Sequence, residues 1–348
     1  MIDIDKHTVN THSSIKDALV ALDALKTKEL NLFVIEENGA VVGSVTDGDI
    51  RRGFIRGAQM DSPVTDVMNG NFIYFGNGAV DLEKFHYYKS KGISLIPVLD
   101  SKRKIESIYN LRQLESVLPI DAVLMAGGKG ERLRPLTEKT PKPLLPVGDK
   151  AIIDYNIDRL ISYGVKNICV TVNYLKEQIE KHFREPYKEV QIRTVREPQY
   201  LGTVGSVRFV PEFYNDTVLV MNSDLFTNIN YEDFYLHFKE HDADMSIAAV
   251  PYSVQVPYGI FLLEGRRDVK GIIEKPTYDY YANAGIYLIK KSALEYVPEG
   301  MVFNATDLIE ALIDAGRKVI RFPLNGTWID IGNPQEYKRA NDMVRFMH

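Results

Sequence analysis

At 348 residues, with 45% hydrophobic and 26% charged residues, the chain has the makeup of a soluble globular protein large enough for two folded units. Its net charge of -5 excludes a global field that would draw it to nucleic acid or an anionic membrane, and neither is expected as a partner. Cys169 is the single cysteine, so an intrachain disulfide is excluded; set in the apolar run 168–172, it reads as a buried structural thiol. No charged-then-apolar leader opens the chain and no apolar run nears transmembrane length, so a cytoplasmic location is expected.

The first 119 residues read as two weakly similar halves, each a helix, a strand hairpin and a second helix. Ser13 or Ser14 can cap a helix whose Ile15, Ala18, Leu19 and Leu22 share one face. A strand over 32–35 turns through Asn38-Gly39 into a strand over 41–45. Thr46-Asp47 closes that strand and caps a helix over 48–55. The second half restarts at Pro63-Val64-Thr65-Asp66 and predicts a helix over 80–91, a strand over 93–98, a charged turn over 101–104 and a helix over 111–118. Pro119 marks the seam, so the expected domains are 1–118, with repeats of about 1–60 and 61–118, and 119–348.

Residues 121–147 read DAVLMAGGKGERLRPLTEKTPKPLLPV. The apolar run 122–126 has the form of a fully buried strand and ends in Gly127-Gly128. Residues without a Cβ let the chain turn sharply and bring successive N–H groups to a ligand. Those donors suit phosphate oxygens, and Lys129, Arg132, Arg134, Lys139 and Lys142 add positive charge. The stretch is built to hold a polyphosphate. A dinucleotide fold wants G-x-G-x-x-G opening a helix, whereas Pro135 blocks one here; a P-loop needs G-x-x-x-x-G-K-[ST], which does not occur.

Beyond this point strands and helices alternate, as in an α/β domain with a mostly parallel sheet. A helix is predicted over 152–163 and strands over 168–172, 190–195, 218–221 and 245–250. Glu197 ends one strand, and Leu201-Gly202-Thr203 reads as a helix start. Asp224, after the buried run 218–221, is placed to meet a hard cation that takes carboxylate oxygens and bridges phosphates. Asp330 in G-T-W-I-D-I-G offers a second carboxylate; Trp328 reads as packing and Asn333-Pro334 as the turn into a final helix.

The run G-G-x-G-x-R-L-x-P-L-T…K-P in residues 121–147 closely resembles the signature of sugar-1-phosphate nucleotidyltransferases, the nucleoside-diphosphate-sugar pyrophosphorylases, and the resemblance extends from about Ile120 onward. It implies a Rossmann-like domain joining an NTP to a sugar 1-phosphate, with pyrophosphate released and no covalent intermediate. It further implies that Arg132 grips the leaving pyrophosphate and Lys142 the α- and sugar-phosphate oxygens. Gly127, Gly128, Glu197, Gly202 and Thr203 would hold the nucleotide, with Glu197 open also to a structural capping role. Asp224 and Asp330 would hold Mg²⁺; Tyr258, Gly259, Glu274, Lys275 and Asn283 would form the sugar-phosphate site. The G-T-x-G form of 202–205 is similar to that of guanylyltransferases, so GTP is the favoured NTP, ahead of UTP, dTTP and CTP. No hexapeptide repeat precedes His348, so no β-helical acyltransferase module is expected.

G-S-V-T-D-G-D-I, residues 43–50, resembles the end of a cystathionine-β-synthase (CBS) domain, which implies a small α+β CBS-pair unit before the α/β domain. In that family such a Thr and Asp bond the ribose or phosphate of an adenine nucleotide, so Thr46 and Asp47 are either a regulatory site or a helix cap. In the second half Tyr109 and Asn110 stand in their place, leaving at most one intact site. CBS pairs commonly self-associate, which implies a homo-oligomer. A ligand sensor with an inert transferase-like domain is the rival reading, opposed by the intact Arg132, Lys142, Asp224 and Asp330; a dinucleotide oxidoreductase is a distant third.

Overall fold

The computed structural model describes residues 2–26, 29–78 and 80–345; the chain end at His348 lies outside them. The chain forms two compact units, the first made of 1–119 with 161–164 and 188–190, the second of 120–160, 165–187 and 191–348. No helix among the described residues is long and apolar enough to cross a membrane.

The first unit repeats one pattern. Strand β1 (Thr8–Asn10), helix α1 (Ile15–Ala24) and strands β2 (Asn31–Ile35) and β3 (Val41–Thr46) lead into helix α2 (Asp47–Ile55). Strand β4 (Phe75–Gly76), helix α3 (Leu82–Ser90) and strands β5 (Leu95–Leu99) and β6 (Ile105–Asn110) follow. In each half the first strand runs parallel to the second and the second antiparallel to the third. Ser14 caps α1 by accepting from Asp17 N at 3.1 Å while Asp17 accepts from Ser14 N at 2.9 Å, and Ile15, Ala18 and Leu22 turn inward.

Two expectations for this unit fail. No helix occupies 111–118: Asn110 Oδ1 accepts from Arg112 N at 3.0 Å and closes a single turn. After it Ser116, Val117 and Leu118 are buried in succession, which a one-faced helix cannot do. Registers also shift the repeat by one residue. Thr46 lies opposite Asn31 and Asn110 opposite Leu95, so the counterpart of Thr46 is Asn110, not Tyr109.

The second unit is a mixed α/β fold on a parallel-rich sheet. Strand β7 (Asp121–Ala126) is followed by the hairpin β8 (Pro146–Val147) and β9 (Lys150–Ala151), helix α4 (Ile152–Ser162), strand β10 (Ile168–Val172), helix α5 (Lys176–His182) and strand β11 (Ile192–Arg196). Next come β12 (Thr217–Asn222), β13 (Leu225–Thr227), helix α6 (Tyr231–Glu240), β14 (Met245–Gln255), β15 (Ile260–Glu264), β16 (Asp268–Ile273) and β17 (Thr277–Lys290). Helix α7 (Ala305–Asp314), strands β18 (Val319–Pro323) and β19 (Trp328–Asp330) and helix α8 (Pro334–Arg345) complete it.

The seven-stranded sheet has the order β11-β10-β7-β12-β17-β14-β18, with β17 alone reversed. β7 sits inside it as a nearly continuous apolar run, as a strand covered on both faces must. Val123, Val218 and Val220 pack with Leu308 and Leu312 of α7, and Leu133, Phe226 and Ile329 with Ala340 and Val344 of α8. Buried Asp121 accepts from Tyr214 N at 2.7 Å, Asn215 N at 2.9 Å and Asn215 Nδ2 at 2.8 Å, which satisfies its charge. Cys169 is buried in β10, and burial raises its thiol pKa.

Candidate active site

Gly127 and Gly128 leave β7 at its carboxyl end, where ligands collect on such sheets. Gly130 turns at φ +62°, and a Cβ there would meet Thr137 Cγ2 at 3.0 Å and Lys142 Cβ at 3.1 Å. Thr137 Oγ1 donates to Gly130 O at 2.8 Å, Tyr174 Oη to Thr137 O at 3.0 Å and Gln178 Nε2 to Lys139 O at 2.9 Å. The basic loop is thereby clamped and its N–H groups fixed in direction.

Three loops meet this one around a cavity of about 420 Å³. Its lining includes Gly127, Gly128, Arg132, Lys142, Glu197, Gly202, Thr203 and Asp224. Asp224 follows β12, and Asp330 ends β19; β13 pairs with β19 so that Leu225 opposes Asp330, and Ile331 N donates to Asp224 O at 3.2 Å. That ribbon brings together two carboxylates distant in sequence. Buried Lys142 forms ion pairs with both, touching Asp224 and standing 3.8 Å from Asp330 Oδ1. Loss of water and the Asp224 carboxylate push the Asp330 carboxyl above its usual range, against the pull of Lys142 and Arg132. Arg132 is exposed, and a Cβ at Gly332 would lie 3.1 Å from its Nη2.

No group of three or more His, Cys, Asp or Glu side chains suited to a metal occurs among the described residues. Two hard carboxylates nonetheless fit Mg²⁺, which keeps waters and takes substrate phosphate oxygens rather than a full protein cage. Their shared pairing with the Lys142 ammonium shows that both carboxylates face one positive charge.

Buried Glu197 lies under the glycine loop: a Cβ on Gly127 would overlap its Oε1. Burial raises the Glu197 carboxyl, and the 3.3 Å bond from Leu201 N lowers it. The expected helix at Leu201 is instead a turn leading to a 3₁₀ segment, Gly205–Phe209. Gly202 has φ +79° and packs so tightly on Phe303 O that a Cβ would approach within 2.7 Å. Thr203 Oγ1 accepts from Ala305 N at 2.7 Å, tying the loop to the start of α7.

Asn156 was not marked by the motifs. Buried on α4, its Nδ2 donates to Leu225 O at 2.8 Å and Ser223 O at 3.3 Å, bracketing Asp224, while Ser223 Oγ donates to Met125 O at 2.7 Å. Its signal lay in the helix pattern: a polar residue on the face formed by Ile153, Ile157 and Leu160.

The sugar-phosphate candidates are not among the cavity-lining residues. Asn283 accepts from Gly285 N at 2.9 Å near the start of the core part of β17. Tyr258, 72% exposed, and Gly259, Glu274 and Lys275 lie at the ends of the β15–β16 hairpin, where a Cβ on Gly259 would meet Glu274 Oε2 at 2.9 Å. Trp328 Nε1 donates to Ala284 O at 2.9 Å. In the first unit Thr46 Oγ1 accepts from Asp49 N at 3.3 Å and donates to Asp49 Oδ2 at 2.6 Å as the cap of α2, and Asp47 is exposed.

The model of the nucleotidyl transferase family matches residues 121–345. The mannose-1-phosphate guanylyltransferase catalytic subunit beta of Xenopus tropicalis is 27% identical over 224 residues, 62% of this chain and 62% of that protein. The UTP–glucose-1-phosphate uridylyltransferase of Synechocystis sp. is 28% identical over 239 residues, 63% of this chain and 62% of that protein. The chain thus spans about 62% of the length of these curated relatives. A solved UDP-glucose pyrophosphorylase from Acinetobacter baumanii shares the fold, with a TM-score of 0.52 at 20% identity over 66% of this chain and 95% of that one. With well over half its length matched by one family model, the chain belongs to the nucleotidyl transferase family.

Proposed function

We infer that the cavity transfers a nucleoside monophosphate from an NTP, with GTP favoured, to a sugar 1-phosphate and releases pyrophosphate. The observation that carries this reading is Lys142 between the carboxylates of Asp224 and Asp330, beside a glycine loop of fixed N–H groups. The glycine loop binds the NTP phosphates, Glu197 and the Gly202–Thr203 turn border the nucleoside, and Arg132 draws off the pyrophosphate. Lys142 orients the attacking sugar-phosphate oxygen, already ionised, in line with the α-phosphorus. Asp224 and Asp330 would hold Mg²⁺, which when bound would supply charge neutralisation at the phosphates. Because the similar proteins carry both guanylyl- and uridylyltransferase names, UTP is the second reading, with dTTP and CTP behind it. A matrix of NTPs against mannose, glucose, amino-sugar and heptose 1-phosphates, read by NDP-sugar formation, tests it. Highest kcat/KM with a GTP pair is expected; a higher value with UTP, dTTP or CTP retires the base preference, and no product from any pair retires the reaction.

The twofold strand pattern of the first unit supports reading it as a CBS-like pair that regulates the enzyme through an adenine nucleotide. Only Asp47 keeps a free carboxylate for such a ligand, since the Thr46 hydroxyl serves the α2 cap. One weakly bound nucleotide per chain follows, shifting activity by about 5- to 150-fold at most. Binding of ATP, ADP or AMP that Asp47→Ala abolishes supports the site; full-chain activity and binding indifferent to all three rejects it.

A further inference from the structure

The turn that carries Gly202 and Thr203 lines the cavity and also rests on residues 301–305, which lead into α7. Phe303 N donates to Leu201 O at 2.9 Å, and Val204 N and Gly205 N both donate to Phe303 O at 3.1 Å. A side chain from each partner closes the joint. Ala305 N donates to Thr203 Oγ1 at 2.7 Å, and Thr203 N donates to Asn304 Oδ1 at 3.4 Å. The two glycines of the G-T-x-G form belong to the same packing. A Cβ on Gly202 would stand 2.7 Å from Phe303 O and 2.8 Å from Asn304 Oδ1, and one on Gly205 would stand 2.8 Å from Met301 O. Residues 301–304 thus require both glycines, whichever nucleotide the turn meets.

We propose that Asn304 is a positioning residue for nucleoside recognition, holding the Gly202–Thr203 turn where it can tell one base from another. This role rests on the nucleotidyl-transfer reading and deepens it, since it names what fixes the nucleoside side of the cavity. Asn304 is not among the cavity-lining residues, so it acts through the turn. Its own place is fixed at the start of α7, where its N–H donates to Asp307 Oδ2 at 2.7 Å. Helix α7 is anchored in turn: Ala305, Leu308 and Leu312 pack with Val123, Val218 and Val220 in the sheet core, and Val204 and Val207 join the same cluster. The joint therefore ties the nucleoside turn to β7 and β12, the strands that lead to the glycine loop and to Asp224. Reading a base by hydrogen bonds needs groups held to within about 0.5 Å, so a turn freed at Thr203 N loses affinity and discrimination together.

The test compares Asn304→Ser with Asn304→Asp in the full chain. Both keep a helix-capping side chain, but the serine is too short to reach Thr203 N, whereas the aspartate keeps an acceptor at Oδ1. Binding of GTP and of UTP is followed by titration calorimetry with Mg²⁺ present and no sugar 1-phosphate. Asn304→Ser is expected to weaken the preferred nucleotide about 10-fold and to narrow the ratio of the two Kd values. KM for the sugar 1-phosphate should stay near wild type, and Asn304→Asp should restore both nucleotide readouts. A lower Tm in Asn304→Ser with Kd and base ratio unmoved would overturn the proposal, as would an Asn304→Asp variant that binds no better than Asn304→Ser. Because binding is read without turnover, a chain that binds nucleotide but forms no NDP-sugar counts against the reaction alone. A wild-type chain that binds neither nucleotide overturns both.

Discussion

Gly127 and Glu197 share a contact that leaves no room for a Cβ: one built on Gly127 overlaps Glu197 Oε1 and stands 3.0 Å from its Cδ. The glycine turn is thus packed directly on a buried carboxyl group, and this loop and the Glu197 loop cannot shift independently.

Gly127→Ala should therefore displace Glu197 or the loop and cost about 1–3 kcal/mol, the usual penalty for overpacking. KM for the NTP should rise with it. Adding Glu197→Ala should restore part of the stability in a double-mutant cycle. Purely additive effects in thermal melts would show that the contact does not constrain the loops.

Asp224→Asn and Asp330→Asn should each lower kcat by about 100-fold or more, because each would remove an anionic ligand for Mg²⁺. Both side chains are at least partly exposed, so melting temperatures should stay near wild type. Normal turnover of either variant at limiting Mg²⁺ would contradict the paired-carboxylate assignment.

Asn156→Ala should leave the carbonyls of Ser223 and Leu225 unpaired, at about 1–3 kcal/mol in stability. As a positioning residue for Asp224, it should also reduce kcat roughly 10-fold with little change in KM for the sugar phosphate. A stability loss with kcat unchanged would reduce it to a core hydrogen bond.

His182 Nε2 lies 2.8 Å from Asp154 Oδ1, and that hydrogen bond raises the imidazole pKa above its usual value despite partial burial. A pKa raised in the folded state adds stability that is complete below the unfolded value of about 6.5 and fades as pH rises through the folded one. His182→Gln should thus lower Tm most in mildly acidic buffer and least in alkaline buffer. An equal loss of Tm at every pH would rule out this charge contribution.

Much of this was legible in the chain because local rules decide it. The apolar run and double glycine of residues 122–128 fix a buried strand and a tight turn, and the observed strand is Asp121–Ala126. Asp224 and Asp330 each stood out, but their juxtaposition depends on β13 pairing with β19 across more than 90 intervening residues, which no local pattern encodes. Helix propensity misled at 111–118 and at Leu201, where burial on successive residues and the positive φ of Gly202 prevail. Asn156 was hidden by its setting, one amide within an amphipathic helix. The extension of β14 and β17 beyond the buried sheet was hidden for a different reason: exposed and buried strands of like composition read alike.

The most direct test of the central claim is isotope exchange. If transfer needs the sugar 1-phosphate as nucleophile and forms no nucleotidyl-enzyme, labelled pyrophosphate should enter the NTP only when the matching NDP-sugar or sugar 1-phosphate is present. Label entering the NTP from enzyme, NTP, pyrophosphate and Mg²⁺ alone would contradict the account, as would no exchange with any NTP–sugar pair.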